Sequence, residues 1–98
     1  MYRGTTPTLI FALPFNAENI STLNIAFAQN RKVVLEKTLR DCQTSEKQIT
    51  LKLTEQETLR FSAEALLEIQ LRCVYEGNHL ASNIICTDVN RILKDGAL

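Results

Sequence analysis

The sequence predicts an all-β protein, an immunoglobulin-like antiparallel β-sandwich of six or seven strands with one short helical turn. Apolar and polar residues alternate along most of the chain, which is the pattern of half-buried strands. Turn-forming residues recur roughly every 8–12 residues, a spacing typical of sandwiches and small barrels. The chain contains no Trp, and the pair of cysteines that marks true immunoglobulin domains is also missing. The term immunoglobulin-like therefore refers to architecture alone.

Composition is that of an ordinary globular domain, and we expect one domain over residues 1–98. Hydrophobic residues make up 45% of the chain, and 11 basic residues balance 11 acidic ones. A disordered chain would be poorer in large aliphatic residues. A nucleic-acid-binding protein would normally carry excess positive charge, so we expect no nucleic-acid partner.

The longest apolar run, Leu9–Phe15, contains Pro14 and is too short to span a membrane, which takes about 20 residues. It is also at the lower limit for a signal peptide. We therefore expect no membrane partner and no signal peptide, and we assign a first strand to Thr8–Leu13. Pro14 ends this strand because proline has no N–H to donate. The residues on its core face are Leu9, Phe11 and Leu13.

The segments Thr22–Ala28 and Lys32–Leu39 are predicted to form a hairpin. Their core-facing residues are Leu23, Ile25 and Phe27 on the first strand, and Val33, Leu35 and Leu39 on the second, with Lys37 on the same side near an edge. A two-residue loop at Asn30-Arg31 would place Val34 rather than Val33 on this face. Because register decides which face is buried, we predict a three-residue loop with Asn30 or Arg31 left-handed, asparagine being the easier choice.

The middle of the chain is predicted to contain a polar loop, a strand and a helical turn. The loop is Asp41–Lys47, and the strand Gln48–Leu53 alternates with Ile49, Leu51 and Leu53 inward. Thr54 followed by Glu57 fits a capping box at the start of a single turn over Glu55–Leu59. Leu59 and Phe61 are expected to pack beneath this turn. A general acid–base pair of Glu55 and Glu57 is disfavoured, since residues two apart on a helix do not face each other.

Ala65–Glu76 is predicted as the longest strand, followed by a two-residue hairpin turn at Gly77-Asn78. Its core face carries Leu67, Ile69, Leu71, Cys73 and Tyr75. The resulting pairs are Tyr75 with Leu80, Cys73 with Ser82, Leu71 with Ile84, and Ile69 with Cys86. Val89–Leu93 is expected to be a short strand or arm, and Lys94–Gly96 a turn.

Few residues suggest chemistry, and we expect no enzyme, no cofactor and no metal. The three cysteines, Cys42, Cys73 and Cys86, form no CxxC motif and suit a reducing compartment, with Cys73 and Cys86 on core faces. The single histidine, His79, is interpreted as a solvated turn residue. Three glycines cannot supply a phosphate loop, and no serine lies in a nucleophile motif.

Several residues predicted to point outward are apolar, which is the pattern of strands covered on both faces. We expect another subunit to cover one outer face or an exposed edge strand, with the alternative that loops and termini of this chain do so. The candidate partner-binding residues are Ile10, Val34, Val74, Ala81 opposite it, and Ile85.

The chain resembles short proteins encoded in prophages of Gram-positive bacteria, which are similar to the N-terminal β-sandwich domain of phage baseplate upper proteins. The resemblance extends over essentially the whole chain. The matching segments are Met1–Leu9, Val34–Leu39, Leu53–Phe61, Glu68–Arg72, Ala81–Ile84 and Ile92–Gly96. The chain departs from its relatives at Arg31, where they commonly have glycine, and at Cys42 and Cys86.

The resemblance implies a structural function, in which a tail or baseplate accessory protein docks on another virion protein without turnover. It implies no catalytic residues, and it places the protein in the host cytoplasm during assembly and then in the virion. Homo-oligomerisation is possible. Two alternatives remain open: a carbohydrate- or host-surface-binding module, and a regulatory protein that sequesters a host factor.

Overall fold

The computed structural model describes residues 1–98 and contains two antiparallel sheets packed face to face. The strands are β1 (Thr8–Ala12), β2 (Ile20–Gln29), β3 (Lys32–Thr38), β4 (Gln43–Ser45), β5 (Gln48–Lys52), β6 (Leu67–Tyr75), β7 (Asn78–Ala81) and β8 (Ile85–Thr87). The small sheet has the order β1-β5-β4, and the large sheet has the order β3-β2-β6-β7, with β8 also paired to β6. The predicted all-β sandwich is confirmed.

The strand count of eight exceeds the expected six or seven because two short strands escape the sequence pattern. β4 lies inside Asp41–Lys47, which was predicted as a loop, and only one of its residues is shielded from solvent. β8 is separated from β7 by a break in the pairing to β6. Two 3-10 turns, Ala17–Asn19 and Leu39–Asp41, complete the secondary structure together with the short helix α1 (Glu55–Thr58).

The core lies between the two sheets, where the predicted alternation is confirmed. The fully buried side chains include Ile25 and Phe27 of β2, Ile49 and Leu51 of β5, and Leu67 of β6. The ring of Phe27 stacks on that of Phe61, with centroids 5.8 Å apart. Burying a side chain of this size contributes about 1.5–3 kcal/mol, so these alternating positions are what hold the sheets together.

The β2–β3 hairpin has a two-residue loop, so the predicted three-residue loop is wrong. Asn30 and Arg31 both adopt left-handed backbone conformations, with φ of 52° and 64°. A β-bulge beside Phe27 then restores the register that buries Leu35. Because the extra residue falls at Val34, the orientations predicted for Val33 and Val34 are exchanged: Val33 is 51% exposed, while Val34 packs against the core.

The β6–β7 hairpin turns at Glu76-Gly77, one residue earlier than the predicted Gly77-Asn78. Cys73 consequently pairs with Leu80 instead of Ser82. After β7 the chain leaves the ladder and returns as β8 with a register shifted by one residue. The shift corrects three predicted positions: Ile84 is exposed rather than opposite Leu71, Ile85 pairs with Ile69, and Cys86 is exposed opposite Glu68 rather than in the core.

The capping box predicted before α1 is confirmed. The Glu57 amide donates to Thr54 Oγ1 at 3.2 Å, and the Thr54 amide donates to Glu57 Oε1 at 2.8 Å. The same Glu57 carboxylate forms an ion pair with Lys37, which explains a lysine on the apolar side of β3. Phe61 is buried beneath the turn as predicted, and Leu59 is half-buried.

The two ends of the chain lie together. Of the two forms expected for Val89–Leu93, a short strand or an arm, no strand forms, and Tyr2 and Asn90 make a single parallel bridge. The Asn90 amide donates to the Met1 carbonyl at 2.6 Å, and the Arg3 amide donates to the Asn90 carbonyl at 3.1 Å. This bridge, together with the buried side chain of Val89, fixes the C-terminal segment against the N-terminal one.

Candidate docking site

One lateral side of the sandwich, where β3 leads into β4, is closed by the chain itself. The 3-10 turn Leu39–Asp41 crosses directly from the large sheet to the small one. The segment around α1 covers the same side through the Lys37–Glu57 ion pair. Arg60 Nη2 also donates to the Val34 carbonyl at 2.6 Å, which occupies a main-chain group of β3. These contacts obstruct the approach of a partner strand to β3.

The opposite lateral side is open, and we call the gap there, between β1 and the β7–β8 edge, the seam. β1 and β7–β8 are the end strands of their sheets, so neither has a neighbour on the outside. Two cavities lie along the seam. The first, of about 330 Å³, lies between the residues that follow β1 and Leu80 of β7, over Leu71 and Cys73. The second, of about 440 Å³, lies between β1 and Ile85, over Ile69.

Both cavities are apolar. Ten of the 12 residues that line the first cavity are hydrophobic, and no charged side chain lines either one. Cys73 belongs to the first cavity, and burial raises the pKa of its thiol, so this sulfur is a neutral lining group at pH 7. The seam thus contains two separate, mainly apolar cavities that the fold leaves in contact with water.

The free edge of β1 presents main-chain groups without partners in the sheet. The Leu13 amide donates to the Lys47 carbonyl at 2.9 Å, and the Leu53 amide donates to the Pro7 carbonyl at 3.0 Å. In an antiparallel ladder the residues that bond to one neighbour alternate with those that face away. Since odd-numbered residues of β1 bond to β5, the N–H and C=O groups of Thr8, Ile10 and Ala12 face the seam.

Among the end strands, β1 alone is a regular strand without a protective feature. Natural sheets protect edges with charges, bulges, short strands or covering segments. β3 contains the bulge at Val34, three charged residues and the contact from Arg60. β4 has three residues, and the β7–β8 edge is interrupted. β1 has five residues, Thr8–Ala12, with no charge and no register shift.

The structure brings together two of the five predicted partner-binding residues, Ile10 and Ile85, which both line the second cavity. Ala81 borders the first cavity. Val74 pairs with His79 rather than Ala81, and it lies half-buried on the outer face of the large sheet beside Arg72. Val34 packs against the core, so its predicted outward orientation is wrong.

Sequence reasoning missed Leu80, which is 39% exposed and lines the first cavity. The corrected hairpin register is what places it opposite Cys73, and the sequence signal for that register was the Glu76-Gly77 pair. It also missed a small outer patch where exposed Val33 and Ile84 lie near Ala26 and Ala28. Both patch residues reach this face through the two register shifts, which the alternation pattern could not reveal.

No group of three His, Cys, Asp or Glu side chains is arranged to hold a metal ion. None of the helices has the length and apolar character needed to cross a membrane. Comparisons with protein-family models, with curated proteins and with solved structures gave no match.

Proposed function

We propose that this protein is a phage or prophage structural component, a tail or baseplate accessory module that acts by docking on another virion protein. The observation that carries the proposal is the seam, an uncharged apolar gap beside an unprotected edge strand. Exposed apolar surface of this kind, framed by a rigid scaffold, is typical of protein–protein contact sites. The resemblance to prophage-encoded baseplate-like proteins supplies the virion context.

The charge distribution supports docking by surface fit. The chain has a formal net charge of zero, so long-range attraction to an oppositely charged partner would be weak. Affinity would instead come from burying the apolar lining of the seam, without turnover and without a cofactor. In this proposal the protein assembles in the host cytoplasm and remains in the mature particle.

Mass spectrometry of purified particles, combined with affinity capture from phage-producing cells, tests the proposal. We expect the protein in the particles and a tail or baseplate protein in the captured material. Capture of a host factor alone, with the protein missing from particles, would contradict the structural function. Competable binding on a glycan array would favour the carbohydrate-binding alternative instead.

A pair of leucine variants makes the capture experiment specific for the seam. Leu80→Asp places a charge in the first cavity, where desolvation of the carboxylate opposes docking. Leu66→Asp makes the same change at a residue that is 51% exposed and lines neither cavity. We expect Leu80→Asp to lose the virion partner and Leu66→Asp to retain it, provided that both variants keep the wild-type circular dichroism spectrum.

A further inference from the structure

We propose that the seam binds its partner by strand addition: an extended segment of the partner pairs with the free edge of β1 and directs alternate, uncharged side chains into the two cavities. This inference rests on the proposed docking function and specifies its chemistry. Strand addition requires three features of the seam. These are free main-chain groups that can pair with the added strand, cavities at the spacing of its alternate side chains, and a lining that selects those side chains.

The main-chain requirement is met by Thr8, Ile10 and Ala12, whose N–H and C=O groups face the seam. Thr8, Ile10 and Ala12 are exposed at the surface. An extended peptide is the ligand that can pair with such a row of N–H and C=O groups, because its own donors and acceptors repeat at the same spacing. Pro14 lacks an N–H, so the row ends there and limits the added strand to about the length of β1.

The positions of the cavities meet the requirement for side-chain space. The second cavity lies along residues 7–11, and the first begins at Ala12 and continues along the residues that follow β1. Four residues of a strand extend over roughly 13 Å, and side chains at every second residue share a face. An added strand can therefore place residues i and i+4 in the two cavities and residue i+2 between them.

The lining selects uncharged side chains at these positions. A charged side chain inserted in either cavity would lose part of its hydration, and no side chain of opposite charge lines either cavity to compensate for the loss. Residues that alternate with the inserted ones would point to the solvent side of the small sheet, where polar side chains are favoured. The partner segment is accordingly an alternating strand with three apolar residues on its inner face.

A second copy of the chain fits the seam less well than a partner segment. Pairing β1 with β1 of another copy would join two five-residue strands, each about 17 Å long. Such a contact falls well below the roughly 1,200 Å² that stable interfaces bury. A segment inserted in the seam contacts both sheets and fills the cavities.

Amide hydrogen exchange measured by NMR, with a synthetic probe peptide, tests the inference on the intact protein. The probe has the sequence of residues 46–54, which places three apolar residues at alternate positions. The control peptide has the same composition with its apolar residues adjacent. We expect the amides of Thr8, Ile10 and Ala12 to exchange rapidly in the free protein and at least tenfold more slowly with saturating probe, but not with the control.

Two variants of Ile10 separate main-chain pairing from side-chain contact. Ile10→Pro removes one N–H from the free edge and leaves the ladder to β5 intact, since proline is tolerated at such edge positions. Ile10→Val keeps the N–H and nearly the same side chain. We expect Ile10→Pro to weaken probe binding at least tenfold and Ile10→Val to change it less than threefold, as measured by calorimetry.

Failure of the strand-addition mechanism can be distinguished from failure of the docking function. Unchanged exchange of the three amides at millimolar probe, in the wild-type protein, would overturn strand addition even if Ile10→Pro failed to fold. Equal incorporation of folded Ile10→Pro and wild type into particles would overturn it while the structural function stood. Concentration-dependent dimerisation that protects the same amides without the probe would assign the edge to a second copy and also overturn the inference.

Discussion

Ser82 satisfies both main-chain groups of Leu71 on β6, which a residue of a neighbouring strand would otherwise do. Its amide donates to the Leu71 carbonyl at 2.8 Å, and its Oγ accepts from the Leu71 amide at 3.0 Å. Gln70 Nε2 also donates to the Ser82 carbonyl at 3.0 Å. A side chain thus stands in for a main-chain acceptor where β7 ends, so the chain can change register before β8 without leaving a buried amide unpaired.

Replacing Ser82 with alanine should destabilise the fold by about 1–2 kcal/mol, because the amide of buried Leu71 loses its acceptor. Urea unfolding measures the change, and Leu71 amide exchange localises it. Ser45→Ala is the control, since the Ser45 side chain is exposed on β4 and forms no hydrogen bond; its effect should stay below about 0.5 kcal/mol. Equal stabilities of the two variants would show that the Ser82 rung contributes nothing.

Arg31→Gly should stabilise the protein by up to about 1 kcal/mol. A left-handed conformation costs a residue with a Cβ about 1–2 kcal/mol, and glycine's greater freedom in the unfolded chain offsets part of the gain. Arg31 has a φ of 64°. The midpoint of urea unfolding should rise without a change of slope. Lys32→Gly, one residue later in β3, is the control and should lower the midpoint of urea unfolding. A lower midpoint for both variants would contradict the conformational argument.

Stability should fall as the pH is lowered through the titration of Glu57. Burial raises the pKa of this carboxyl, but hydrogen bonds from Lys37 and the Thr54 amide outweigh burial and hold the pKa below its usual value. A carboxylate with a lowered folded pKa stabilises the fold above its unfolded pKa, roughly 4.3. That contribution is lost as the pH falls below this value and through the folded pKa.

Glu57→Gln should therefore be less stable than wild type at pH 7 and should lose less stability between pH 6 and pH 3, measured by urea unfolding at each pH. The stability of Glu57→Gln should still depend on pH to some extent, because a hydrogen bond from the Thr38 amide lowers the pKa of Asp41 as well. Glu64→Gln, which removes the same charge from a residue without an ion pair, should follow the wild-type profile. Parallel profiles for wild type and Glu57→Gln would refute the assignment.

Arg3→Lys should destabilise the protein by about 1–3 kcal/mol, although it keeps the charge. Arg3 Nε donates to the Phe61 carbonyl at 2.7 Å, and Nη2 donates to the Leu59 carbonyl at 2.9 Å. A lysine ammonium cannot reproduce this planar pair of bonds. The melting temperature should fall, and the Asn90 amide, bonded to the N-terminal segment, should exchange faster. Arg91→Lys, at an exposed arginine, is the control and should have no comparable effect.

Alternation along the sequence by itself determined the sandwich class and the core residues of β2, β5 and β6, and the spacing of Thr54 and Glu57 determined the capping box before α1. Each of these depends on the side-chain period of a strand or on contacts within four residues, so local sequence is sufficient. The tertiary structure decided the registers. A two-residue loop followed by a bulge buries the same Leu35 as a three-residue loop, and alternation alone does not distinguish them.

The seam was only partly predictable for the same reason. Ile10 and Ile85 were recognised because they are apolar at positions predicted to point outward, whereas Leu80 lines the seam only through the shifted pairing of β7. The openness of this side depends on which strands end each sheet, and that order arises from long-range pairing of β1 with β5 and β2 with β6. Sequence periodicity specifies which residues of a strand face inward. Whether that strand lies at a free edge depends on which other strands pair with it, and long-range pairing decides this.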